Sequence, residues 1–133
     1  MVLDASVGVK WFTPEAGRDE ALSLLHQAAA DDVTLVVPDL FVYEVVRTVR
    51  RKADDVAARA AVEFFESAGI VTVPPLAHVL RTALDQAAAL GCDFYDACAP
   101  AIASILDAEL YSADQAAGRP AAAPAAAWPV ALP

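Results

Sequence analysis

The chain opens on Met-Val-Leu-Asp, an apolar run ended by a carboxylate, which fits a short buried strand over Met1–Asp4. Ala5–Phe12 reads as a short helix stopped by Thr13-Pro14. Glu15–Ala30 has helical periodicity, with Ala21, Leu22, Leu25 and Ala28/Ala29 on one side. Its acids Glu15 and Asp19 lie near the start, where the helix dipole favours negative charge, and Asp31-Asp32 breaks it. Val33–Val37 is an uncharged, largely β-branched run, the mark of a buried parallel strand.

Pro38-Asp39 opens the next helix, with Asp39 placed to be its N-cap, and the pattern runs to about Lys52. Asp54–Ala68 is a further helix, ended by Gly69. Ile70–Val73 is a third strand, and Pro74-Pro75 launches a helix from Leu76 to Leu90, closed by Gly91. Asp93–Asp107 reads as helical, Glu109–Ser112 as a fourth strand and Asp114–Ala117 as one more turn. Residues 118–127 are Ala/Pro low complexity, and Trp128–Leu132 fits an edge strand, where Pro129 is tolerated. Strands alternating with helices imply an α/β fold with a central, mainly parallel sheet of four or five strands and right-handed crossovers. In such sheets ligands bind beyond the carboxyl ends of the strands, so the residues just after each strand carry the search for function.

A length of 133 residues fits a single domain spanning 1–133 with one proper core. Apolar residues make up 58%, much of it alanine, and charged residues 20%, which together describe a soluble, helix-rich globular chain. Asp4 interrupts the start, so no basic stretch precedes an apolar one as in an export signal, and the cytoplasm is the expected compartment. The long uncharged stretches 94–106 and 120–133 contain proline and fall short of a membrane span. Cys92 and Cys98 lack a zinc-like spacing and read as small buried hydrophobes; His26 and His78 read as structural or surface residues. The net charge of −9 argues against nucleic acid taken as a sum. Its distribution softens that, because Arg47, Arg50, Arg51, Lys52 and Arg59, five of the nine basic residues, fall within thirteen positions.

Four acids stand in or at the end of apolar runs: Asp4 after the first strand, Glu44 in Leu-Phe-Val-Tyr-Glu-Val-Val, Asp96 in Phe-Tyr-Asp-Ala, and Asp114 after the fourth strand. Each alone reads equally as a cap or an ion-pair partner, Glu44 least so because it is mid-helix. Together, at one end of a parallel sheet, they would raise one another's pKa, a strain that a hard divalent cation relieves. Oxygen ligands alone point to Mg2+ rather than zinc or copper. Such a site polarises a phosphoryl oxygen and activates water for phosphodiester hydrolysis.

The same residues carry a resemblance. Val-Leu-Asp-Ala-Ser-Val-Gly-Val-Lys-Trp-Phe (2–12), Val-Val-Pro-Asp-Leu-Phe-Val-Tyr-Glu-Val-Val-Arg-Thr-Val-Arg-Arg (36–51), Phe-Tyr-Asp-Ala-Cys-Ala-Pro-Ala-Ile-Ala (94–103) and Tyr-Ser-Ala-Asp (111–114) resemble, in order, the four blocks of PIN-domain ribonucleases of the VapC-like toxin type. The resemblance implies a PIN-like three-layer fold and Mg2+-dependent (or Mn2+-dependent) endoribonuclease activity on RNA. It also implies a homodimer and inhibition by a cognate VapB-like antitoxin. By motif position Asp4, Glu44, Asp96 and Asp114 would form the acidic site, with Ser6 and Ser112 beside it. Asp93 departs from the family pattern and reads either as an N-cap of the late helix or as an additional site acid. Pro100 is unusual there, and it predicts a kink unless it falls in the first turns. Arg47, Arg50 and Arg51 read either as a solvated helix face or as contacts to RNA phosphates or the antitoxin. Trp11, Phe12, Phe41 and Tyr43 read as core or dimer surface rather than base-stacking platforms.

Other classes fit less well. A phospho-acceptor receiver domain needs a lysine after its last strand, and the only lysines are Lys10 and Lys52. A haloacid-dehalogenase-type phosphatase needs Asp-x-Asp after the first strand, where the second position is Ser6. A PIN fold that binds without catalysing keeps the same four acids and is separated only by assay.

Overall fold

The first three strands are each followed by helices, the crossover that a parallel pairing requires. The computed structural model describes residues 1–113. Its strands are β1 (Val2–Leu3), β2 (Val36–Pro38), β3 (Val71–Val73) and β4 (Leu110–Tyr111), all parallel, in the order β3-β2-β1-β4. Six helices accompany them: α1 (Ala5–Phe12), α2 (Arg18–Ala30), α3 (Asp39–Lys52), α4 (Asp55–Ser67), α5 (Ala77–Leu90) and α6 (Cys98–Leu106). The expected α/β class is met with four strands. The turn expected over Asp114–Ala117, the low-complexity stretch and the edge strand over Trp128–Leu132 lie outside the described residues.

Because side chains alternate across a strand, Val2 and Leu3 face opposite layers. Leu3 joins Val7, Trp11, Phe41 and Val45 in a core built from α1–α4, while Val2 joins Val79, Ala99, Ile102 and Leu110 on the α5–α6 side. Phe41 and Val45 are essentially inaccessible, each worth about 1.5–3 kcal/mol of burial. Gly8 lets α1 and α3 approach closely. A Cβ there would lie 2.5 Å from Phe41 Cζ and 2.8 Å from Val45 Cγ2.

The boundaries differ from expectation where loops take over polar groups. Helix α2 begins at Arg18 rather than Glu15, behind Gly17 at φ 80°. Glu15 is recruited by the preceding loop instead, with Thr13 Oγ1 2.6 Å from its Oε1 and Lys52 Nζ 2.8 Å from its Oε2. Strand β2 begins at Val36 rather than Val33, because Val33 N–H closes the end of α2 on Ala28 and the Thr34 carbonyl accepts from the Met1 amine. Asp39 is the first residue of α3, not its cap; Pro38 holds the extended cap conformation, and Asp39 Oδ1 accepts from Leu40 N–H at 2.8 Å. The late helix starts at Cys98, not Asp93, since residues 94–97 form a separate turn. Pro100 consequently sits in the first turn of α6, where its missing N–H removes no helical bond.

Candidate active site

The strand order reverses between β1 and β4: the chain moves from β1 outward through β2 and β3, then returns to pair β4 with the other edge of β1. In open parallel sheets that switch point leaves a crevice at the carboxyl ends. Asp4 leaves β1 there, and Ser112 leaves β4 beside it.

Asp4 is fixed by two elements at once. Its backbone N–H donates to Tyr111 O at 2.9 Å, continuing the β1–β4 pairing. Its side chain caps α1, Oδ2 accepting from Ser6 N–H at 3.1 Å and from Ser6 O–H at 2.5 Å. Ser112, almost fully buried, places its Oγ 3.3 Å from Ser6 Oγ and 3.4 Å from Asp4 Oδ2. Ala113 N–H donates to Ser6 Oγ at 2.9 Å. Both serines expected beside the site therefore stand against Asp4.

Glu44 arrives from α3, which starts at the end of the neighbouring strand β2. Burial first, then the charges of Asp4, Asp96 and Asp93, push its carboxyl above the ordinary value, while Arg47 one turn on pulls the other way. That coupling places Asp4, Glu44, Asp96 and Asp93 in one electrostatic neighbourhood. Asp96 is exposed, in the turn before α6 rather than in its first helical turn. Asp93 acts as the cap of that turn, its Oδ1 accepting from Tyr95 N–H at 2.9 Å, and its charge still reaches Glu44. Asp114 lies outside the described residues.

Two neighbours escaped the sequence reading. The Cys98 thiol is pushed up to about 11 by burial and by the charges of Glu44, Asp39, Asp93 and Asp96. It borders the acids as an uncharged thiol, not a thiolate ligand. Asp39, read only as a cap, shares this neighbourhood; its position directly after β2 was the signal that pointed there. Cys92 is partly buried near Cys98, both thiols are free, and His26 and His78 are exposed, in line with the roles expected of them.

The profile of the PIN domain matches residues 1–122, more than half of the chain. The chain belongs to the PIN-domain family. No curated protein matches it. PIN domains form a nuclease superfamily whose members generally depend on a divalent metal, and the three-layer parallel architecture here agrees with that fold. No helix among the described residues is long and apolar enough to cross a membrane.

The donors of this PIN domain suit a hard cation. They are carboxylate oxygens with hydroxyls behind them, and the charge crowding at Glu44 is of the kind a divalent ion relieves. Among the described residues no three His, Cys, Asp or Glu side chains stand close enough to grip one ion together. Mg2+ needs fewer, since it keeps several waters and takes one or two carboxylates.

The basic cluster divides. Arg50 pairs with Asp55 at 2.5 Å across the α3–α4 turn, and Lys52 pairs with Glu15. Arg47 and Arg51 line, together with the Arg50–Asp55 pair and Asp54, an open groove that also includes Val42, Val46 and Val62. Exposed Tyr43 lines the same groove, whereas Trp11, Phe12 and Phe41 pack with Phe64 and Phe65 in the core.

Proposed function

We propose that this PIN domain is a Mg2+-dependent endoribonuclease, with Mn2+ as a substitute, acting as the toxin of a VapC-like toxin–antitoxin pair in the cytoplasm. The observation that supports the reading is the partly buried Glu44 carboxyl, raised first by burial and then by the charges of Asp4 and Asp96. Asp4, Asp96 and Asp114 would hold the cation, with Glu44 binding it directly or through water. A bound divalent cation polarises a phosphoryl oxygen and lowers the pKa of its water.

The chain's own residues supply the rest. Asp4 is oriented by Ser6 and Ser112. Glu44, whose carboxyl is raised, is the acid best suited to take a proton from the attacking water near neutral pH. Arg47 lies between the acids and the α3–α4 groove, where it can meet an RNA phosphate as the backbone enters. The groove, with Val42, Val46 and Val62 beside Arg47 and Arg51 and with the Asp55 charge met by Arg50, suits a VapB-like antitoxin segment that is apolar on one face and acidic on the other. A homodimer is the expected assembly, read by light scattering of the purified protein.

The test is cleavage of a mixed RNA panel with Mg2+, with Mn2+ and with EDTA, beside an Asp4→Asn protein checked for folding. Metal-dependent cleavage by the wild type alone supports the enzyme and its site. Equal cleavage by both proteins would mean a contaminating nuclease. Absence of both cleavage and divalent-cation binding would sink the acidic-site reading.

A further inference from the structure

The hydroxyl of Ser6 has one proton and two acceptor positions, and the fold uses the proton and at least one acceptor. Its proton goes to Asp4 Oδ2, 2.5 Å away. One lone pair accepts from Ala113 N–H at 2.9 Å. Ser112 Oγ stands 3.3 Å from Ser6 Oγ. Two short donors thus converge on Asp4 Oδ2, Ser6 N–H and Ser6 O–H, with Ser112 Oγ 3.4 Å away. No hydrogen bond from a described residue reaches Oδ1.

We propose that Ser6 is a positioning residue: its hydroxyl fastens Asp4 Oδ2 to the chain leaving β4, so that Asp4 offers only Oδ1 to a ligand. The latch closes on Ala113, the residue before Asp114 in the sequence. The proposal rests on the reading of Asp4 and Asp114 as functional acids. It divides the Asp4 carboxylate by role. Oδ2 belongs to the helix cap and the sheet edge, and Oδ1, which no described residue engages, is left as a one-oxygen ligand.

The division makes a prediction peculiar to Asp4→Asn. The donors at Ser6 require an acceptor, so the amide oxygen of the Asn side chain takes the place of Oδ2. The NH2 group then occupies the position of Oδ1 and turns a donor toward the cation. The variant keeps its cap and its fold while losing the ligand.

The experiment uses the full chain, freed of metal, as wild type, Ser6→Ala, Ser6→Thr and Asp4→Asn. Mn2+ binding is measured by calorimetry, and amide hydrogen exchange is followed by NMR. Ser6→Ala is expected to weaken Mn2+ binding by about 10–100-fold, the usual effect of losing a group that orients a metal ligand. It should also speed exchange of the Ala113 amide while leaving α3 protected as before. Ser6→Thr, which restores the hydroxyl, should recover both, a rescue that loss of packing alone would not produce. Unchanged Ala113 exchange in Ser6→Ala would overturn the latch, as would a Thr variant no better than the Ala one. If wild type binds Mn2+ and Ser6→Ala binds it equally well, the positioning role fails while the nuclease reading stands. If wild type binds no Mn2+, the role assigned to Oδ1 falls with the acidic site, and the exchange data still decide whether the latch exists.

Discussion

Adding a methyl group at Gly8 probes the contact that sets α1, which carries the Asp4 cap, against α3, which carries Glu44. In an unhindered helix Gly→Ala is stabilising by about 1 kcal/mol, through reduced backbone freedom in the unfolded chain. Here the new Cβ would stand 2.5 Å from Phe41 Cζ, 2.8 Å from Val45 Cγ2 and 3.1 Å from Phe41 Cε1. Carbon atoms pack best at about 3.5–4.0 Å, so relief requires a shift of roughly 1 Å. Neither neighbour has room to give. Phe41 is 1% exposed, with ring centroids of Trp11 and Phe65 at 6.0 and 5.9 Å, and Val45 is fully buried. Overpacking of this kind costs about 1–3 kcal/mol. Toward the upper end of that range it outweighs the helix gain and leaves Gly8→Ala about 1–2 kcal/mol less stable. Thermal melting should then show a midpoint lower by about 3–8 °C. Phe41→Leu removes Cζ and Cε1, two of the three close atoms, so Gly8→Ala should do less harm in a Phe41→Leu background than in the wild type. A Gly8→Ala protein that melts at or above the wild-type temperature would show that helix propensity decides, and would refute the close approach.

The Glu44 carboxyl lies above its ordinary 4.5 in the folded protein, so the folded state binds more protons between those two values. Stability of the metal-free protein should fall as pH rises through that window, and denaturation of Glu44→Gln should show a flatter profile. Glu15 runs the opposite way. Burial works to raise its carboxyl, but hydrogen bonds from Lys52 and Thr13 and the charges of Lys52 and Lys10 hold it below 4.5. Its contribution is present above the ordinary value and lost as pH falls through the folded one; because the ion pair is partly exposed, Lys52→Ala should remove less than about 1 kcal/mol in urea titrations at neutral pH. Asp54 caps α4 by accepting from Ala57 N–H at 2.8 Å, and Asp54→Ala should lower stability by about 1 kcal/mol. Loss of less than a few tenths would mean that water serves the cap equally well.

What the sequence discloses here is whatever depends on local rules. The helix over Ala5–Phe12 has the bounds its pattern predicts, and Asp54 and Gly69 bracket α4 as cap and stop. The four parallel strands follow from alternation alone. Errors fall where a polar group found a partner far along the chain. Glu15 looks like a first-turn acid of a helix, yet Lys52, 37 residues away, holds it in the loop. Thr34 looks like part of a strand, yet its carbonyl is taken by the chain's own amino terminus. No periodicity encodes either pairing. The candidate acids were legible from their apolar surroundings, but Cys98 was not recognised as their neighbour, because its relation to Glu44 and Asp39 exists only after α6 packs against β2.

Of the acids that local sequence leaves between a cap and a functional role, two do cap in the structure. Asp93 caps the turn before α6 through Oδ1 while its charge acts on Glu44. Asp4 caps α1 through Oδ2 and stands at the switch point of the sheet. A carboxylate that begins a helix at the end of a parallel strand is held rigidly by backbone N–H groups, and a ligand oxygen gains most from being held that way. Capping thus holds Asp4 in place at the mouth of the crevice. Glu44, with no cap to make, is placed instead by the packing of Phe41 and Val45 on its own helix against Gly8. The site therefore depends on two kinds of restraint: hydrogen bonds at Asp4, and close packing one helix away.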